Sequence, residues 1–349
     1  MSRPTHLIFN PVAGQGDPIQ DLDYIRRVLE PKLDLTVWRT SPDQDADVLA
    51  QQALAAGSQL IIACGGDGTL SAAATALVGS DVPFGVISRG TANAFANALG
   101  IPDTLEAACD TLLNGLERRV DSALCHQGDQ RRAMILLAGI GFEAATVEMA
   151  DRASKDRFGM MAYVLSGLRQ LRQIKMFDAQ IETDDQVINV RASAITVANA
   201  APSTSILAHG PAGVIPDDGL LDITIISCEG FSSGILAGYH LLQSALTGNA
   251  AEREDIGYFR AKRVTISTDP AQLVVMDGEI LETAPISIEC QPQSLTIMVP
   301  RTTQAVVEEK LEGLPGLTIQ LKVDDQKTDD QKTDKQQSEP IQPFHSGQS

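Results

Sequence analysis

The chain has 349 residues, enough for two domains of ordinary size with a substantial core. Hydrophobic residues make up 43% and charged ones 21%, and 45 acidic against 27 basic side chains set the net charge at −18. That balance opposes nucleic-acid phosphates and broad attraction to anionic lipid, and no apolar run approaches the ~18 residues of a membrane span. The opening MSRPTHLIFNPVAG holds no signal-peptide core or cleavage site, so a cytoplasmic protein is expected. Cys64, Cys109, Cys125, Cys228 and Cys290 form no CxxC and read as reduced, mostly buried thiols. The histidines are scattered at His6, His126, His209, His240 and His345, which argues against a His/Cys metal cage.

Residues 5–9 read as a first strand, followed by the Gly/Pro-rich turn NPVAGQGDP. A helical apolar spacing over 21–33 precedes a strand at 35–40, a helix at 43–56 closed by Gly57, and a strand at 59–64. That third strand runs straight into GGDGT, then a helix over 70–78, a strand over 82–88 and helices over 91–99 and 104–116. The rhythm predicts a doubly wound parallel α/β domain. Beyond about residue 120, strand candidates dominate at 131–141, 178–199, 220–227, 263–269, 271–279, 285–293 and 294–300. Helical stretches at 158–176 and 232–246 interrupt them. This half predicts a mostly antiparallel β-sandwich-like domain. The expected division is 1–128 for a nucleotide-binding domain, with about 296–320 as a completing segment, and 129–295 for the β-rich domain. Residues 324–349 carry DDQKT twice and almost no apolar side chains, and read as a disordered tail.

GGDGT, residues 65–69, closes a strand and opens a helix, the place where open α/β sheets bind ligands. Its glycines let backbone N–H groups approach phosphate oxygens, and a helix N-terminus favours anions. Asp67 among them would repel phosphate unless it acts through Mg²⁺. The plainer alternative is a glycine-rich turn in which Asp67 caps the helix. Two more turns, at 10–14 and 90–96, follow strands of the same domain, and three such turns converging on one sheet edge favour a nucleotide pocket. GxxxxGK[ST] is missing, so this is no Walker-A loop, and Gly139-Ile140-Gly141 reads as a strand-end turn. PDDGLLD at 216–222 and MDGE at 276–279 read either as hairpin turns or as functional carboxylates, with Glu279 a candidate general base at a cleft.

The series NPxAG, GGDGT, GTxN, DGLLD and DGE, in this order and spacing, resembles the diacylglycerol kinase catalytic family, and specifically the soluble bacterial YegS-like lipid kinases, over about residues 5–300. The resemblance implies an ATP- and Mg²⁺-dependent kinase that phosphorylates the hydroxyl of a diacylglycerol-like lipid. ATP would be held by Asn10, Pro11, Val12, Ala13 and Gly14, by Thr40, by Gly65, Gly66, Asp67, Gly68, Thr69, Leu70, Ser71 and Ala72, and by Thr91 and Asn93. Asp67 and Asp121 would belong to a carboxylate–water network around Mg²⁺. Glu279 or Asp277 would be the base, and Asp218 with the carbonyls of Ile215 and Leu220 would form a structural divalent-metal site. Two positions depart from the family pattern: Ala94 stands where Asp follows the Asn of GTxN, and Asn199-Ala200 where Asn-Gly is usual. The alternatives are an NAD kinase-like enzyme of a soluble alcohol and a non-catalytic nucleotide- or lipid-binding regulator. The family also implies peripheral membrane contact and a homodimer. Residues 158–177, with Arg169, Arg172 and Lys175 along one side, are the candidate interfacial helix, or else a core helix with a basic rim.

Overall fold

The computed structural model describes residues 2–14, 16–141, 175–202, 205–208, 213–229, 237, 239–241, 243, 253–301 and 318–321. The expected tail and most of the two helical stretches at 158–176 and 232–246 lie outside them.

The first half alternates strictly: β1 (Arg3–Phe9), α1 (Pro18–Leu29), β2 (Leu33–Arg39), α2 (Ala46–Ala55), β3 (Leu60–Gly65), α3 (Asp67–Leu77) and β4 (Phe84–Ser88). Two more helices follow, α4 (Ala94–Ala98) and α5 (Leu105–Asn114). Strands β2, β1, β3 and β4 are parallel neighbours in that order. Every residue of β3 and β4 is buried, as expected of strands covered on both faces. One face packs Ile8, Ile61, Ala63 and Val86 against α2, α3 and α4. The other packs Leu7, Phe9, Leu60, Ile62 and Ile87 against α1 and α5.

Helix α1 starts earlier than the apolar spacing predicts. Asp17 accepts the amides of Ile19 and Gln20, and Pro18 takes a first-turn position where a missing N–H costs nothing. The cap, not the apolar periodicity, sets that boundary.

The second half contains β5 (Leu116–Gln127), β6 (Gln130–Met134), β7 (Leu137–Gly141), β8 (Phe177–Glu182), β9 (Gln186–Ala192) and β10 (Ala194–Ala198). It continues with β11 (Leu221–Ile226), β12 (Ile256–Ala261), β13 (Arg263–Asp269), β14 (Leu273–Met276), β15 (Glu279–Thr283), β16 (Ile286–Val299) and β17 (Thr318–Leu321). Strand β8 shows the pleat plainly, with Phe177, Ala179 and Ile181 inward and Asp178, Gln180 and Glu182 outward.

A six-stranded antiparallel sheet runs β12-β11-β10-β7-β14-β15. It shares a core with β5, β8, β9, β13 and β16, including Ile140, Ile181, Ile195, Ile223 and Ile288, which gives the expected sandwich. The opposing layer is not separate from the first half. Strand β16 pairs with β13 and β5 antiparallel and meets β4 in parallel at Ile297 and Phe84, so one 11-stranded sheet runs through both halves. The strand predictions at 285–293 and 294–300 are thus one strand, its register shifting between Gln291 and Leu295. The run at 131–141 is instead two strands, broken at Ile135 and Leu136. Strand β5 replaces the end of the helix expected over 104–116 and the unassigned residues after it.

Candidate active site

The three expected turns meet at the carboxyl ends of β1, β3 and β4. The amide of Asn10 donates to the Cys64 carbonyl at 2.9 Å, and its side-chain Nδ2 donates to Thr69 Oγ1 at 2.8 Å. One asparagine therefore ties the NPVAG turn to GGDGT. Its Oδ1 accepts the Val12 amide at 3.1 Å, which folds the turn back on itself and leaves Val12 88% exposed. Gly14 closes the turn with φ +80, and a Cβ there would stand 2.4 Å from the Arg89 carbonyl oxygen. Only glycine meets both demands. Thr40 joins the same edge through its amide, 3.0 Å from the Phe9 carbonyl.

Asp67 does not cap α3. Gly66 is the cap residue and makes no side-chain cap bond, while Asp67 is the first helical residue. Its Oδ1 instead accepts the Phe95 amide at 3.1 Å, which links GGDGT to the turn carrying Thr91 and Asn93. Asn93 holds φ 49, a left-handed conformation that asparagine tolerates better than most residues. The Arg89 amide donates to the Gly65 carbonyl at 2.7 Å, and a Cβ on Gly90 would lie 3.1 Å from the Gly66 Cα, so these two turns are in van der Waals contact. Above Gly68 a Cβ would meet nothing within 4 Å. Open space over a helix's unpaired first-turn amides is what a phosphate chain needs. Leu70 is fully buried and belongs to the core, while Ser71 and Ala72 are half-buried along α3.

Asp121 and Asp277 are both committed to backbone amides. Asp121 is 1% exposed; its Oδ2 accepts Gly219 N and its Oδ1 accepts Gln293 N, each at 2.7 Å. Burial raises its pKa, with the two amides opposing and the nearby Asp218 and Asp217 adding to the rise. Asp277, at φ 49, accepts Ile135 N at 2.7 Å on Oδ2, and Leu136 N and Leu137 N at 2.9 and 3.0 Å on Oδ1. Burial pushes its carboxyl up to about 6 against the pull of those three amides, with Glu279 adding to the rise. The break between β6 and β7 at Ile135 and Leu136, with the first residue of β7, presents these three N–H groups. Asn199 joins the two carboxylate loops, donating from Nδ2 to the carbonyls of Asp121 and Ile135 at 2.9 and 2.8 Å.

Glu279 differs in kind. It opens β15, its side chain is 79% exposed, and its Oε2 lies 3.8 Å from Arg132. Asp218, expected as a metal ligand, has its Oδ1 on the Leu220 amide at 3.0 Å and its Oδ2 on Arg260 at 2.9 Å. Ile215 and Leu220 flank that turn, but a guanidinium already neutralises the carboxylate, so the donor set fits a divalent ion poorly. Among the described residues no cluster of three or more His, Cys, Asp or Glu is placed to hold a metal ion. Asp67, half-buried with one oxygen on an amide, does fit a Mg²⁺ ion shared with nucleotide phosphates, since Mg²⁺ commonly takes one or two carboxylates and its remaining ligands from substrate and water.

Arg89, Asp21, Arg132 and Arg260 escaped the sequence reading. For Arg89 the sequence carries no signal, since an arginine just past a buried strand is ordinarily solvated.

A sandwich joined to a doubly wound half places glycine-rich turns at one sheet edge and a DGE turn in the second half. Residues 4–125 match the profile of the diacylglycerol kinase catalytic domain, and residues 137–299 that of the YegS C-terminal NAD kinase beta sandwich-like domain. An uncharacterised protein of Synechocystis is 43% identical over 306 residues, spanning 84% of this chain and 70% of its own length. A diacylglycerol kinase of Bacillus subtilis is 29% identical over 280 residues, spanning 78% of this chain and 88% of its own. A crystal structure of a diacylglycerol kinase from Bacillus anthracis superposes with a TM-score of 0.69 at 28% identity, covering 86% of this chain and 98% of that one. The chain belongs to the diacylglycerol kinase family, in its two-domain YegS-type branch.

Proposed function

We propose that the protein transfers the γ-phosphoryl group of ATP to the hydroxyl of a diacylglycerol-like lipid presented at a membrane surface. The observation that carries this reading is the division of labour in the DGE turn. Asp277 spends both oxygens on the amides of Ile135, Leu136 and Leu137, while Glu279 stands exposed beside Arg132. A general base needs an oxygen a hydroxyl can reach; Asp277 is buried with three amides on its two oxygens, whereas Glu279 is exposed. Glu279 is therefore the base, and Asp277 the residue that aims it.

The nucleotide's phosphates lie along the amides of Gly66 to Thr69, with Asn10 and Gly14 closing the other side of the cradle. Asp67, together with the phosphates, would hold Mg²⁺, which would supply neutralisation of the charge on the transferred group. In the transfer the lipid oxygen bonds to the γ-phosphorus, the bond to the bridging oxygen of ADP breaks, and the hydroxyl proton passes to Glu279. Ala94 supplies no carboxylate beside Asp67, and Asp218, paired with Arg260, is read as structural. On this reading the lipid is reached by peripheral contact with a membrane surface.

The test is transfer of labelled γ-phosphate from Mg·ATP to a panel of lipids in mixed micelles, for wild type, Asp67→Ala and Glu279→Ala. Label in an organic-extractable lipid, lost in both variants, supports the proposal. Label on NAD or another soluble alcohol instead would overturn it.

A further inference from the structure

One residue outside every motif links the turns: the Arg89 side chain reaches the Asn10 turn and α1, and its backbone reaches Gly65 and Gly14. Arg89 follows β4 directly and its side chain is 5% exposed. Its Nε donates to Asp21 Oδ2 at 2.9 Å, with a second guanidinium nitrogen at 2.9 Å from the same oxygen. A third nitrogen donates to the Asn10 carbonyl at 3.1 Å, and the guanidinium carbon sits 5.1 Å from the centre of the Phe9 ring. Its backbone completes the joint: its amide is bonded to Gly65, and its carbonyl oxygen leaves no room for a Cβ on Gly14.

We propose that Arg89 is a positioning residue for the nucleotide, holding the Asn10–Gly14 turn at the spacing from GGDGT that the phosphates require. This rests on the reading that the nucleotide lies at these turns. A buried guanidinium persists only where its charge is met, and here Asp21 on α1 and the Asn10 carbonyl supply that, although Nη2 makes no hydrogen bond of its own. Asp21 lies in the first turn of α1, so the same fork fixes the helix on the far side of the turn. Lysine, a point charge without a planar fork, could keep the Asp21 pair but not the Asn10 contact and the Phe9 face together.

Removing the fork frees the Asn10–Gly14 turn without emptying the core, because Asp21 is 31% exposed and can hydrate. The consequence belongs in nucleotide affinity rather than in folding. The experiment measures the Kd of Mg·ATP by titration calorimetry, the KM for ATP and for lipid, and the Tm, in wild type, Arg89→Met, Arg89→Lys, Asp21→Asn and the Arg89→Met/Asp21→Asn double variant. Arg89→Met is expected to weaken Mg·ATP binding at least tenfold and to raise the ATP KM in step, with the lipid KM within twofold. Arg89→Lys should fall between, and the double variant should bind no worse than Arg89→Met alone. A Kd within twofold of wild type in Arg89→Met, with a lowered Tm, would make Arg89 merely structural and overturn the proposal. If Arg89→Met does not fold, Asp21→Asn carries the same comparison, and an unchanged Kd there overturns it equally. Failure of wild type to bind Mg·ATP would instead bring down the nucleotide reading on which the proposal stands.

Discussion

Replacing Asp277 by alanine tests the idea that this carboxylate is an anchor. Three backbone N–H groups, those of Ile135, Leu136 and Leu137, would lose their acceptor, and Ile135 and Leu136 are buried. An unsatisfied buried donor costs about 1–3 kcal/mol, and relaxation and water recover part of that. Alanine would also have to hold φ 49, where a non-glycine residue without a polar side chain is strained by about 1–2 kcal/mol. The sum is a destabilisation of about 3–5 kcal/mol. Asp277→Asn tolerates the left-handed backbone and keeps one acceptor, so about 1–3 kcal/mol is expected. Urea unfolding at about pH 4, where the folded carboxyl keeps its proton, followed by circular dichroism measures both, with the order alanine, asparagine, wild type in rising stability. An alanine variant within 1 kcal/mol of wild type would refute the anchor.

Other expectations follow from the same geometry. Glu279→Gln, at an exposed position, should leave stability within about 0.5 kcal/mol of wild type while kcat drops about 10²–10⁴-fold, which separates it cleanly from Asp277. Asp277 also gives a pH signature: the unfolded carboxyl ionises near 3.8, while the folded one keeps its proton until about 6. The folded state thus binds the extra proton in that window, and wild-type stability should fall relative to Asp277→Asn as pH rises from about 4 to 6, then level off; unfolding titrations across pH report it. Gly14→Ala should raise the ATP KM, because the new Cβ would meet the Arg89 carbonyl oxygen at 2.4 Å and force the turn outward. All five cysteines are buried and reduced, with Cys109 and Cys125 pushed up to about 11 by burial, so a thiol reagent should label the native protein slowly and find five groups once it is unfolded.

The alternation of apolar runs with helical spacing made the first half legible, because strands such as β3 are buried on both faces and read as uninterrupted apolar segments. Strand β5 was not legible. Its LERRVDS start mixes charges with small residues and owes its state to long antiparallel pairing with β16, about 170 positions away in sequence. The join of the two halves through β16 was hidden for the same reason: the run reads as two abutting strands, 285–293 and 294–300, and only pairing with β5 before and after the register shift makes them one. In the site, glycines and carboxylates could be read off as motifs because their spacing is local. What each carboxylate does could not, since it depends on amides brought from elsewhere: Gly219 and Gln293 to Asp121, and Ile135 to Leu137 to Asp277. Asp218 shows the converse. Its motif suggests a metal, and a cross-sheet arginine answers its charge.

The most direct test of the account follows phosphorus itself. Phosphorus-31 NMR of wild-type protein turning over ATP and Mg²⁺ with diacylglycerol in mixed micelles should show a lipid phosphomonoester growing in equal amount with ADP, and no growth with Glu279→Gln. ADP accompanied by inorganic phosphate alone, or a phosphomonoester that grows undiminished with Glu279→Gln, would contradict it.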